Sequence, residues 1–187
     1  DKYANTEEAY KSWREYLKSF GIGQELGIDV SGEKRGWLKE ASFYDKMHGE
    51  GRWSYANIIS LPFGQGELGL TPMQMANAAA VIANRGHYFT PHVVRQIEGM
   101  DKIPDKYLIK NYTKISPSHF GPVIDGMHEV TLSGTAAHIA IAGIEIAGKT
   151  GTVQNPHGKN HSAYIAFAPL ENPQIAIAVV VEEAGYG

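Results

Sequence analysis

Ala147-Gly148-Lys149-Thr150-Gly151-Thr152-Val153-Gln154 decides the fold, because it admits two incompatible readings. Extended upstream, Gly143-Ile144-Glu145-Ile146-Ala147-Gly148-Lys149-Thr150 satisfies the phosphate-loop pattern G-x-x-x-x-G-K-[ST]. That mechanism needs a loop whose amides curl around phosphate and a helix directly after it. Ile144 and Ile146 are β-branched and resist curling, and Gly151-Thr152-Val153-Gln154-Asn155-Pro156 cannot open a stable helix. The nucleotide reading fails on context. Read as a strand, the same residues put Lys149 and Gly151 on one face and Thr150 and Thr152 on the other. A strand bordering a cleft can offer backbone groups to an extended peptide, with glycine where the ligand passes closely. Lys149 then supplies positive charge and the threonine hydroxyls supply hydrogen bonds to a carboxylate.

Working outward, Ile144–Ile146 with the residues after them, Ala163–Ala168 and Gln174–Glu182 predict three strands. Asn155-Pro156-His157-Gly158 and Leu170-Glu171-Asn172-Pro173 supply the turns, and such short connections predict an antiparallel meander. Upstream the period changes to helical. Thr6 is placed to cap a first helix whose Tyr10, Trp13, Leu17 and Phe20 share one face, ended by Gly21 and Gly23. The stretch Gly27 to Trp53 has no sustained period and reads as a long irregular connection. Thr71-Pro72-Met73-Gln74 is a capping box, and it opens a helix to about Arg85 with Met73, Ala76, Ala80 and Ala83 on its packing face. A further helix after Ser116-Pro117 carries Phe120, Val123, Ile124, Met127 and Val130. Helices first and an antiparallel sheet last is the α+β pattern.

Composition narrows the function. The 187 residues carry 17 Lys and Arg against 20 Asp and Glu, a net charge of -3, which argues against a nucleic-acid partner. There is no cysteine, so thiol catalysis and cysteine-based zinc sites are excluded. His157 and His161 share a hairpin without a third ligand nearby, so no metal is expected there. The longest apolar run, Ile175 to Val181, is too short for a membrane span.

The Lys149-Thr150-Gly151-Thr152 string resembles the third active-site motif of the penicillin-recognising serine enzymes. The rest of the chain carries the resemblance further. Phe63-Gly64-Gln65-Gly66-Glu67-Leu68-Gly69-Leu70-Thr71-Pro72-Met73-Gln74-Met75-Ala76, then Ala83-Asn84-Arg85-Gly86, is similar to the segment between the second and third motifs of class B penicillin-binding proteins. Phe20-Gly21-Ile22-Gly23, Gly27-Ile28-Asp29 and Gly32-Glu33 match landmarks upstream of it. Asp125-Gly126-Met127, Gly134-Thr135-Ala136, His161 and Ala166-Phe167-Ala168-Pro169 match landmarks around the third motif. Gly64-Gln65-Gly66 and His161 lean toward the elongation type, the penicillin-binding protein 2 group.

The resemblance implies a penicillin-binding-protein and serine β-lactamase-like transpeptidase fold, an antiparallel sheet flanked by helices. It implies a serine D,D-transpeptidase that cross-links peptidoglycan stem peptides and is acylated by β-lactams, without a cofactor. Such a protein sits in the bacterial inner membrane with its catalytic domain on the periplasmic face, among cell-elongation proteins. In site terms it implies catalytic roles for Lys149 and the Thr152 amide, and substrate binding by Thr150, Gly151, Thr152 and Gln154, the last extending the same strand. The family nucleophile belongs to a Ser-x-x-Lys motif. Ser31-Gly32-Glu33-Lys34 matches it literally but lies in a glycine-flanked loop, downstream of landmarks that should follow the nucleophile. Tyr3-Ala4-Asn5 similarly imitates the second motif at a spacing too close to Phe20-Gly21. Residues 1–187 therefore read as the C-terminal part of a transpeptidase domain, without the nucleophile region and the final helix, and inactive alone. Its uncovered apolar surface is expected to favour self-association or a partner chain. A non-catalytic peptidoglycan- or β-lactam-binding module, or a β-lactam sensor, is the alternative.

Overall fold

The computed structural model describes residues 2–186. It is a mixture of helices and small antiparallel sheets, as the sequence predicts. Helix α1 spans Thr6–Ser19, and its cap is Asn5 rather than Thr6: the Asn5 side chain accepts from the Glu8 amide at 2.9 Å. An extended residue one position before the helix is the better-placed acceptor, so Thr6 is already helical. Tyr3-Ala4-Asn5 thereby has a structural use, with Tyr3 also bonded to the Ser12 hydroxyl at 2.9 Å.

The stretch predicted to be irregular, 27–53, is partly regular. It holds the two-residue strand β1 (Trp37–Leu38) and helix α2 (Ala41–His48). What orders it is an aromatic cluster whose members are distant in sequence. Tyr10 of α1 meets Tyr44 at 5.2 Å and Trp53 at 5.6 Å, both edge-on, the arrangement favoured by ring quadrupoles. Their polar tips are satisfied: Tyr10 donates to the Lys39 carbonyl at 2.7 Å and Trp53 to Asp45 at 2.8 Å. Burial pushes the Tyr44 hydroxyl well above the ordinary tyrosine range. Helix α3 (Tyr55–Ile58) follows, then strand β2 (Leu68–Gly69), which pairs antiparallel with β1.

Helix α4 (Pro72–Ala83) starts at the predicted capping box. The Thr71 hydroxyl accepts from the Gln74 amide at 3.2 Å, and the Gln74 side chain accepts from the Thr71 amide at 3.1 Å. Its packing face differs from the one expected. Met73 is 41% exposed, while Gln74, Asn77 and Val81 are buried. Gln74 also donates to the carbonyls of Gln24 and Arg35, each at 2.9 Å, and Asn77 to that of Phe20 at 3.0 Å. These amides close the backbone groups of a buried turn, which is why polar residues win the inner face. Strands β3 (His87–Phe89) and β4 (Lys110–Tyr112) form a second small antiparallel pair. Helix α5 (Phe120–Leu132) buries Phe120, Ile124, Met127 and Thr131, whereas Val123 lies on the outer side, 47% exposed.

The C-terminal third is the predicted meander, β5 (Ala147–Val153), β6 (His161–Ala168) and β7 (Ile175–Val181), in the order β5-β6-β7. Ile144 stays outside the strand, in a bridge to Ile141. Leu26, Val81, Tyr88, Phe120, Ile124, Met127, Ala147 and Phe167 make the main core where α4 and α5 cover the inner face of this sheet. On the opposite face Ile175, Ile177, Val179 and Val181 are 41–63% exposed, so a row of branched apolar side chains meets solvent.

Candidate active site

Strand β5 lies at one edge of the sheet, and among the described residues it pairs only with β6. Its register sets Lys149 opposite Ile165, Thr150 opposite Tyr164, Gly151 opposite Ala163 and Thr152 opposite Ser162. Two side chains reach carbonyls of this strand: Lys149 donates to the Thr150 oxygen at 2.6 Å and Gln65 to the Thr152 oxygen at 3.4 Å. Residues two apart in a strand direct their backbone groups to the same side. Thr150 and Thr152 therefore present both N–H and C=O to the open edge, while Lys149, Gly151 and Val153 ladder to β6.

Lys149, Thr150, Gly151 and Thr152 all lie in this edge strand. Gln154 is exposed one residue beyond the end of β5, so it does not extend the strand. Two residues join the site that the sequence reading used only as landmarks. Gln65 comes from the loop before β2, and the Thr135 hydroxyl lies 3.3 Å from that of Thr150. Both stand inside the glycine-rich strings that carry the resemblance, the one signal that could have found them.

Two glycines of β5 differ in kind. A Cβ on Gly148 would run into the hydroxyl and ring of Tyr164, whose oxygen is buried without a hydrogen-bond partner among the described residues. That burial raises the Tyr164 pKa. A Cβ on Gly151 would meet only the Ala163 Cβ at 3.7 Å, ordinary packing. The fold itself demands glycine at 148 and not at 151.

The competing motifs have other employment. Lys149 and Thr150 lie within a strand and not at a helix start, so the phosphate-loop arrangement is absent. Ser31 is exposed in a turn and Lys34 in the irregular segment after it, neither at the head of a helix. Between them, Glu33 accepts from the amides of Leu26, Gly27 and Ile28 at 2.6–3.2 Å. His161 Nδ1 accepts from the Glu183 amide at 3.0 Å, tying the end of β7 back to β6.

An antiparallel sheet with a Lys-Thr-Gly-Thr edge strand, backed by helices and flanked by a Gly-Gln-Gly loop, defines the class of penicillin-recognising domains. A family model for the penicillin binding protein transpeptidase domain matches residues 4–187. The chain belongs to that family. It is 31% identical to the peptidoglycan D,D-transpeptidase MrdA of Acinetobacter baumannii over 92% of its own length and 28% of that protein's. Penicillin-binding protein 2B of Streptococcus pneumoniae is 32% identical, over 95% of this chain and 27% of the relative. Among solved structures, PBP2 of Pseudomonas aeruginosa in complex with WCK 5153 superposes with a TM-score of 0.79 at 31% identity, covering 97% of this chain and 45% of that one. The chain thus spans under a third of the length of these curated relatives.

Proposed function

We propose that this chain is the third-motif portion of an elongation-type peptidoglycan D,D-transpeptidase, with the nucleophilic serine supplied by sequence outside these residues. The observation that carries the reading is the open edge of β5. There the Thr152 backbone and the Lys149 ammonium, which donates to the Thr150 carbonyl at 2.6 Å, stand together on the outer edge of the sheet, a donor and a positive charge set for an acyl donor laid along the strand. In this reading Thr152 N–H donates to the oxyanion that develops when a serine attacks the carbonyl of a stem peptide or a β-lactam. Lys149 supplies positive potential and supports proton movement at the nucleophile. Thr150 and Thr152 bind the terminal carboxylate, and Gly151 leaves room for the ligand, in line with a fold that does not itself require glycine there. Gln154 flanks the ligand from beyond the strand end.

The similarity to MrdA and PBP2 proteins supports the elongation type, peptidoglycan stem peptides and β-lactams as ligands, and a place among cell-elongation proteins. By the same reasoning the complete protein is held at the bacterial inner membrane with this domain in the periplasm; no helix among the described residues is long and apolar enough to cross a membrane. The exposed row Ile175, Ile177, Val179 and Val181 supports self-association of the chain when it stands alone.

The test is turnover of a stem peptide ending in two D-alanines, offered with a labelled D-amino acid as acceptor. The complete protein should exchange the terminal residue, and the same protein with Lys149→Ala should not. Tight binding of peptide without exchange by the unmodified complete protein would replace this reading with that of a non-catalytic binding module.

A further inference from the structure

A second concavity carries chemistry that the transpeptidase reading does not use. It is a groove of about 1060 Å³ between α1, the 34–40 segment and α2. Arg14, Lys18, Lys34, Arg35, Lys39 and Lys46 line it, against the single carboxylate of Glu40. The chain as a whole is acidic, at -3, so this is a local concentration of positive charge and not an average property. Only two of these cations have a carboxylate partner among the described residues: Arg14 pairs with Glu40 and Lys18 with Glu15.

Arg14 is the second observation. It is 5% exposed, and its Nε has no hydrogen-bond partner among the described residues. That Nε lies beneath the surface, and Arg14 is held at the groove wall through a terminal nitrogen, which donates to the Glu40 carboxylate at 2.5 Å and the Leu38 carbonyl at 3.4 Å. Trp37 stands at the groove, 68% exposed, with the Lys39 ammonium 5.5 Å from its ring centre. An indole that wide open is an apolar contact waiting beside the charges.

We infer that this groove binds an acidic peptide segment, distinct from any ligand of β5. The cations come from three separate segments instead of converging on one point, so the ligand must carry several spaced negative charges. That requirement excludes a single small anion. The concavity disfavours a flat lipid surface, which would meet the rim before the buried Arg14. The extended segment 34–40 on the groove wall and Trp37 beside it suit a peptide, which offers backbone groups and side chains together.

The experiment is fluorescence anisotropy of a labelled hexaglutamate peptide with the complete protein at low salt, with penicillin acylation measured in parallel. Saturable binding that weakens steeply with added salt is expected. The double variant Lys34→Glu, Arg35→Glu should bind at least tenfold more weakly while penicillin acylation is unchanged. Lys46→Glu, an exposed position on a different element, should weaken binding independently. Equal binding of hexalysine, unchanged binding in both variants, or no saturable binding at all would overturn the inference. So would displacement of the peptide by equimolar inorganic phosphate, or capture of anionic vesicles without capture of the peptide. Loss of acylation with peptide binding intact would count against the transpeptidase reading alone.

Discussion

The side-chain amide of Gln65 donates to the backbone carbonyl of Thr152 across 87 positions of sequence, at 3.4 Å. This single contact joins the Gly-Gln-Gly loop to the open edge of β5, beside the amide on which the proposed chemistry depends. One neutral hydrogen bond of this kind contributes about 0.5–1.5 kcal/mol. Gln65→Ala should therefore slow penicillin acylation of the complete protein by roughly 2- to 10-fold, because the edge is less firmly fixed. The melting temperature should hardly move. A variant that acylates at the parent rate would remove Gln65 from the site.

Thr152→Pro removes the backbone donor together with the side-chain hydroxyl, and Thr152→Val, which keeps the N–H, is the control that separates the two. The Thr152 N–H faces the open edge and not β6, and an edge strand tolerates proline where no ladder bond is lost. The sheet should survive, with a lowered melting temperature and native-like circular dichroism. Acylation should fall by about 10²- to 10³-fold, the loss typical of one oxyanion donor. Retained acylation would mean that the donor is elsewhere.

Gly148 and Tyr164 form a steric pair. Gly148→Ala drives a methyl group into the Tyr164 hydroxyl and ring, and should destabilise the protein by about 1–3 kcal/mol in denaturant titration. Tyr164→Phe removes a buried oxygen without a partner among the described residues, and should be neutral or stabilising by up to about 1 kcal/mol. The double variant should recover part of the loss.

Asp29 gives a pH signature. Amides of Val93 and then Val94 donate to its carboxylate and hold its pKa below the usual value. A depressed folded-state pKa means that this stabilisation is present above the unfolded-state value and is lost as pH falls through the folded one. Asp29→Asn should consequently flatten the acid limb of the stability curve below about pH 4. An acid limb identical to the parent's would show that these hydrogen bonds do not favour the carboxylate.

Strand alternation and two turn signals made the β5-β6-β7 meander legible, since both are local. The capping box of α4 was legible for the same reason. Helix α2 was not, because its order comes from Tyr10 and Trp53, which a window on 41–48 does not contain. The inner face of α4 is not legible from apolarity, because two of its buried residues are the amides Gln74 and Asn77. Gln74 and Asn77 are buried to satisfy carbonyls contributed by residues before position 36, and no helical period reveals that. At the site, the edge strand and its residues were readable from one string. Gln65 and Thr135 were visible as landmarks, yet their contacts with Thr152 and Thr150 exist only in the folded chain.

In the proposed reaction β5 supplies the oxyanion donor and the cation for a serine that lies outside these residues. Intact mass after incubation with penicillin tests it most directly, on the complete protein, its Lys149→Ala variant and the 187-residue chain. One added penicillin on the complete protein, acylation slowed at least about 100-fold by Lys149→Ala, and no adduct on the chain alone is the predicted result. An adduct on the 187-residue chain would place the nucleophile within it, with Ser31 the first serine to test, and would contradict the account.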